Sequence, residues 1–173
     1  MLLNINNKIN ITLCGMMGSG KSTLGKILAN KLDYNFIDVD KIIEIEAKKT
    51  IKKIFEEDGE EYFRDLEEKI TINTLENKET IVSLGGGAII NKKIRNSIKK
   101  NSYNIYLNVD VDILTQRLQN SKTRPLIYKQ NLKKKLNNLI SIREKFYRKA
   151  DLIVRNEQNL IETSKYIIKR IIN

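Results

Sequence analysis

The chain has 173 residues, 40% hydrophobic and 31% charged, with a formal net charge of +11. That length suits one domain with a real core; no apolar run is long enough to span a membrane, and residues 1–7 are too short and polar for a signal peptide. The absence of histidine excludes histidine bases, Ser-His-Asp triads and histidine metal sites, and a single cysteine, Cys14, excludes an internal disulfide.

Acid–base work therefore falls to Asp, Glu, Lys or Tyr. Cys14 ends an apolar run, where packing is the expected role, and a reducing, cytoplasmic setting is the default. The positive charge raises the question of nucleic acid. Its lysines, however, are scattered among Asn and Ile along the whole chain, without a basic stripe or interleaved aromatics. The charge is expected to keep the protein soluble and to draw small anionic ligands, with no nucleic-acid or membrane partner.

Residues 9–14 read as a strand and residues 24–32 as a helix, joined by Gly15-Met16-Met17-Gly18-Ser19-Gly20-Lys21-Ser22-Thr23. The spacing G-x-x-x-x-G-K-[ST] is that of a phosphate-binding loop. Its glycines let backbone N–H groups curl inward around a phosphate, and the following helix contributes its positive end. Lys21 supplies charge at the β- and γ-phosphates, and the Ser22 hydroxyl can ligate Mg²⁺.

Residues 35–40 form a short strand ending in Asp38 and Asp40, which share a face if the strand runs that far. Ligands gather at the carboxyl ends of parallel strands, so both acids are well placed for a metal or a reacting group. The alternative is that Asp40 caps a helix beginning at Lys41. Residues 41–77 are charged and helical, broken at Asp58-Gly59, with Phe63, Leu66 and Ile70 on one stripe. Arg64 flanks that stripe with Glu60, Glu61 and Glu67 three or four residues away, as a surface ion-pair ladder would.

Residues 80–84 are a buried-type strand running into Gly85-Gly86-Gly87. A plain turn needs fewer glycines than this, which favours a wall closely approached by a ligand. A basic helix (91–100), a fourth strand (103–109) and another helix (110–118) follow. The polar stretch 119–130 holds the only proline, next to Arg124, with Arg117 at its root; it reads as a closing lid or as an ordinary surface loop. In the helix predicted over 131–149, Arg143 falls inside the apolar stripe of Leu132, Leu136, Leu139, Ile140, Phe146 and Tyr147. A guanidinium aimed inward needs an anion, either an internal carboxylate or a ligand. A fifth strand (151–155) and an amphipathic helix (159–172) complete an α/β chain without repeats. Strands alternating with helices predict a three-layer α/β/α fold on a five-stranded parallel sheet.

Taken together, the phosphate loop, Asp38 and Asp40, the Ile54-Phe55…Gly59-Glu60…Phe63-Arg64…Glu67 pattern, Gly85-Gly86-Gly87, Arg124-Pro125-Leu126 and Arg143…Tyr147…Ala150-Asp151 resemble the shikimate kinases over residues 9–158. The resemblance implies a nucleoside-monophosphate-kinase type of P-loop fold with strand order 2-3-1-4-5, substrate-binding helices at about 41–77 and a lid at about 119–130, all in one domain over 1–173. It implies ATP-dependent phosphorylation of the 3-hydroxyl of shikimate, in chorismate and aromatic amino acid biosynthesis, with ATP and Mg²⁺ and as a monomer. Gly18, Ser19, Gly20, Lys21, Ser22 and Thr23 would bind the ATP phosphates, with Mg²⁺ on Ser22 and Asp38. Asp40 would accept a hydrogen bond from the reacting hydroxyl as candidate base. Arg64 and Arg143 would clamp the substrate carboxylate, Gly85, Gly86 and Gly87 would contact the ring hydroxyls, and Glu67 would orient Arg64. Arg124 would descend on the phosphates, while Arg117 and the stretch from Arg155 to Gln158 would lie on the adenine side. Leu84 departs from the family, many members of which carry a hydroxyl residue there. The rivals are a gluconate-type sugar-acid kinase, an ATP-binding interaction module and a nucleic-acid-associated NTPase.

Overall fold

Alternation along the strands builds the layers. Ile11 and Leu13 of β1 (Asn10–Cys14) join Ile81, Ile105, Leu107 and Val154 in one buried cluster, whereas Cys14 joins Val82 and Tyr106 in another. Successive side chains on a strand point to opposite faces, so a sheet apolar at consecutive positions must be covered on both sides. In the computed structural model, which describes residues 10–119, 129–156 and 159–172, the covering elements are helices.

The remaining strands are β2 (Asn35–Asp38), β3 (Thr80–Ser83), β4 (Ser102–Asn108) and β5 (Leu152–Arg155). All pairings are parallel and the order is β2-β3-β1-β4-β5, as the family resemblance implies. The helices are α1 (Lys21–Leu32), α2 (Val39–Ala47), α3 (Ile51–Lys53), α4 (Gly59–Leu75), α5 (Lys92–Asn101), α6 (Val111–Gln119), α7 (Lys129–Tyr147) and α8 (Leu160–Ile172). Leu24 and Leu28 of α1 and Ile167 and Ile171 of α8 seal one face; Ile43 of α2, Phe63 and Ile70 of α4, Ile94 of α5 and Leu136 of α7 seal the other. At about 25 cal/mol per Å² of apolar area removed from water, these two clusters are the main favourable term in folding.

Buried polar side chains are bonded where they cross between elements. Asn10, 2% exposed, donates to the carbonyls of Leu75 and Asn77 and accepts from the Thr80 amide, which ties β1 to the α4–β3 connection. Cys14 is 1% exposed, and burial pushes its thiol up to about 12, so it packs rather than reacts. Among the described residues Lys21 is the only buried lysine, which agrees with a solvated, dispersed positive charge. No helix among them is long and apolar enough to cross a membrane.

Three local expectations are corrected. The strand ends at Asp38, and Asp40 lies in the first turn of α2, so the two acids do not share a strand face. Nor does Asp40 cap a helix at Lys41, because the helix starts at Val39. Before Gly59 the chain adds a π-helical turn, Ile54–Asp58, and Gly59 takes φ +89°, a left-handed value that breaks the run.

Candidate active site

The carboxyl ends of β1, β2 and β3 open onto one cavity of about 1090 Å³. Its lining includes Gly18, Gly20, Lys21, Ser22, Thr23, Asp38, Asp40, Arg64, Glu67, Gly85, Gly86, Gly87, Arg117 and Arg143. Residues spread over 125 positions of sequence therefore meet in one place. This is where a parallel sheet collects ligands.

The donor side is the turn between β1 and α1. Gly18 and Gly20 take φ values of +79° and +90°, which side chains rarely adopt, and no side chain caps α1. The helix N-terminus is thus left open for an anion. Lys21, 9% exposed, folds back over the loop, its Nζ donating to the carbonyls of Gly15 and Met16 at 2.9 Å each. The Ser22 hydroxyl donates to Asp38 Oδ2 at 2.5 Å and lies 3.5 Å from the Ser83 hydroxyl.

The acceptor side is built by α2, α4, α7 and the three glycines. Arg64 Nη1 donates to Glu67 Oε2 at 2.7 Å, and its Nε and Nη2 donate to Glu60 Oε1 at 3.2 and 3.0 Å. The surface-ladder reading is therefore incomplete: Glu60 is exposed, but Glu67 is 2% exposed and faces the cavity. Burial pushes the Glu67 carboxyl above its ordinary value; the Arg64 guanidinium opposes this, and nearby Asp40 adds to it.

Arg143 is 8% exposed. Its Nη1 reaches Met16 Sδ at 3.9 Å, while its buried Nε has no hydrogen-bond partner among the described residues. The internal carboxylate that could have satisfied it is not supplied there by any ion pair among the described residues. The Glu67 carboxylate is close enough to act on this guanidinium electrostatically without forming such a pair.

Gly85-Gly86-Gly87 is glycine for reasons of space. A Cβ on Gly85 would lie 2.5 Å from Glu67 Oε1 and 2.8 Å from Asp40 Oδ1; on Gly87 it would lie 2.7 Å from Arg64 Nη1. The segment does not need left-handed angles, since Gly87 has φ −96°. Tyr147, stacked on Tyr106 at 4.9 Å, donates to the Gly86 carbonyl at 2.5 Å and so pins the wall to α7. Gly85→Ala is expected to lower kcat/KM for the acceptor about 10²-fold, since the added methyl displaces Glu67 and Asp40, while the KM for ATP moves little. Steady-state kinetics with each substrate varied checks this; an unchanged acceptor constant overturns it.

Arg117 lies at the donor edge, donating to the Gly18 and Asn156 carbonyls at 3.2 and 3.0 Å. Arg124 and Gln158 lie outside the described residues, as does most of the stretch expected to form a lid. Sequence reasoning missed Ser83, and it placed Asn156 only within the stretch 155–158 expected on the adenine side. Ser83 pairs with Asp38 in the β2–β3 register, which brings a hydroxyl to Ser22 one residue before Leu84, itself buried at 2%.

A phosphate loop heading a parallel sheet of order 2-3-1-4-5, opposite a cleft lined by two arginines, defines a small-molecule kinase of the P-loop class. The sequence model of the family described as shikimate kinase matches residues 17–173. The chain is 42% identical over 164 residues to the shikimate kinase of a Sulfurihydrogenibium species, covering 94% of this chain and 95% of that protein. It is 41% identical over 148 residues to that of Persephonella marina, covering 86% and 89%. A solved structure of shikimate kinase from Acinetobacter baumannii in complex with shikimate superposes with a TM-score of 0.89 at 34% identity, over 95% of this chain and 93% of that one. A gluconokinase from Sinorhizobium meliloti, at 19% identity and a TM-score of 0.58 over 94% and 93%, shares the fold alone. The chain belongs to the shikimate kinase family.

Proposed function

We infer that the chain transfers the γ-phosphoryl group of ATP to the 3-hydroxyl of shikimate, giving 3-phosphoshikimate and ADP, a step of chorismate and aromatic amino acid biosynthesis. The observation that carries this reading is Arg143, whose buried Nε has no hydrogen-bond partner among the described residues, on the same cavity as the phosphate loop and Arg64. Two guanidinium groups facing one acceptor space suit a carboxylate held bidentately.

Shikimate binds with its carboxylate between Arg64 and Arg143 and its ring against the three glycines. Glu67 holds Arg64 in place. Asp40 accepts a hydrogen bond from the 3-hydroxyl and aims its oxygen at the γ-phosphorus. The new O–P bond forms as the bond to the β–γ bridging oxygen breaks, and the hydroxyl proton passes to Asp40 or solvent. A loose transition state requires little early deprotonation, so a carboxylate is an adequate base. Gly18, Ser19, Gly20, Ser22 and Thr23 cradle the phosphates, and Lys21 neutralises charge on the oxygens in transit. Arg117 serves the nucleotide side, and Arg124 of the lid and Gln158 complete it.

Among the described residues no cluster of three or more acidic, histidine or cysteine side chains could hold a metal by itself. Ser22 Oγ and Asp38 Oδ2, 2.5 Å apart, are two hard oxygen donors at the phosphate loop. That set fits Mg²⁺, which keeps several waters and takes the rest of its ligands from phosphates. Held by Ser22 and Asp38, it would screen the β- and γ-phosphate charge.

We read the chain as one catalytic unit acting in the cytoplasm as a monomer. A coupled assay of ADP release, with shikimate or gluconate as acceptor, tests the function. Release that depends on shikimate and not on gluconate is expected; ATP binding without shikimate-dependent release overturns the reading.

A further inference from the structure

Beside the phosphate loop stands a buried polar side chain that belongs neither to the loop nor to the acceptor side. Asn156, directly after β5, is 1% exposed. Its side-chain Nδ2 donates to the Ser19 carbonyl at 2.7 Å, across 137 residues of sequence. Its own amide donates to the Asn108 carbonyl at the end of β4 at 3.0 Å, so the residue is anchored to the sheet. Its carbonyl accepts from Arg117 Nη2, and Arg117 Nη1 in turn donates to the Gly18 carbonyl at 3.2 Å. Two consecutive carbonyls of the phosphate loop are therefore held from the β5 and α6 side.

A peptide unit is planar and trans, so its C=O and N–H point in opposite directions. Drawing the Ser19 carbonyl onto Asn156 turns the Gly20 N–H the other way, towards the phosphate cradle. Gly20 sits at φ +90°, and a Cβ there would lie 2.8 Å from Asn156 Nδ2. Glycine at position 20 and the carboxamide at 156 are two halves of one device.

We propose that Asn156 is a positioning residue for phosphoryl transfer: its carboxamide fixes the Ser19–Gly20 peptide so that the Gly20 N–H faces the nucleotide phosphates. This rests on the reading of the loop as the ATP site. ATP-independent behaviour of the native protein would fail that reading, whereas native ATP use with unaltered variants fails only the proposal.

The test compares Asn156→Ala, Asn156→Asp and Asn156→Gln in the full chain. Asn156→Asp keeps the shape and replaces the donor with an acceptor facing another acceptor. Losing this buried hydrogen bond is expected to raise the KM for ATP about tenfold in the Ala and Asp variants, with the KM for shikimate little changed. Asn156→Gln, which retains the donor, recovers part of the loss. Unchanged ATP constants overturn the proposal, as do equal rises for both substrates that follow the loss of thermal stability. Should the variants not fold, the native protein decides the matter. Addition of ADP is expected to shift the Gly20 amide resonance in ¹H–¹⁵N spectra, and a static Gly20 amide overturns the proposal.

Discussion

Lys21→Ala is expected to lower kcat by about 10³-fold, the loss that follows removal of a group aimed at developing transition-state charge. Lys21 is buried, and its Nζ is held by the carbonyls of Gly15 and Met16 at 2.9 Å. Those two acceptors place the ammonium above the loop before nucleotide arrives. ATP brings phosphate oxygens into the same cradle, where low dielectric strengthens the attraction. The negative charge leaving the γ-phosphoryl group spreads over its oxygens during transfer, so the ammonium acts more strongly on the transition state than on bound ATP. The KM for ATP should therefore change less than kcat. Lys21→Arg is not expected to restore activity, because a planar guanidinium does not reproduce a compact point charge between two carbonyls. Single-turnover measurement at saturating ATP and shikimate checks the chemical step directly, and near-normal turnover of Lys21→Ala refutes the role.

The second large effect is on the acceptor. Arg143→Ala is expected to raise the KM for shikimate by about 10²-fold, within the range for truncating one partner of a buried charged pair. The KM for ATP should stay close to its native value. The physical ground is the buried Nε that lacks a partner among the described residues. In the free protein the Glu67 carboxylate acts on this guanidinium, but its buried Nε makes no hydrogen bond among the described residues. A bound carboxylate is expected to add the bidentate acceptor. Shikimate should accordingly raise the thermal midpoint of the native protein and fail to raise that of Arg143→Ala. A structural role predicts the opposite pattern, with a lower midpoint in the free variant and an unchanged response to ligand. Arg143→Lys is expected to recover little, since an ammonium cannot form the parallel pair of bonds that guanidinium makes with carboxylate. A defect confined to ATP would remove Arg143 from the acceptor site.

These two residues differ in how they are read from sequence. Lys21 stands in a contiguous pattern in which strand, loop and helix follow one another, so its chemistry is local. The apolar stripe of α7 marks Arg143 as inward-facing, but it does not say what waits there. An internal carboxylate and a ligand carboxylate give the same periodicity. Only the packing of α7 beside the three glycines buries Nε without a hydrogen-bond partner among the described residues. The family motifs implied a carboxylate ligand, and the packing shows only that Nε finds no acceptor among the described residues.

The α/β alternation, the phosphate loop and the exclusion of histidine chemistry and of an internal disulfide are legible without any coordinates. Such features depend on neighbours within a few residues, or on composition alone. The tertiary structure decided that Asp40 stands on a helix and not on a strand, because the backbone turns helical at Val39. It decided why three glycines stand together, since Glu67, Asp40 and Arg64 reach that segment from other elements. It also brought Ser83 beside Ser22 through strand register, and Asn156 onto Ser19 through the anchoring of β5 on β4. No window of sequence contains such a contact, because each is made by two elements meeting only after the sheet has assembled.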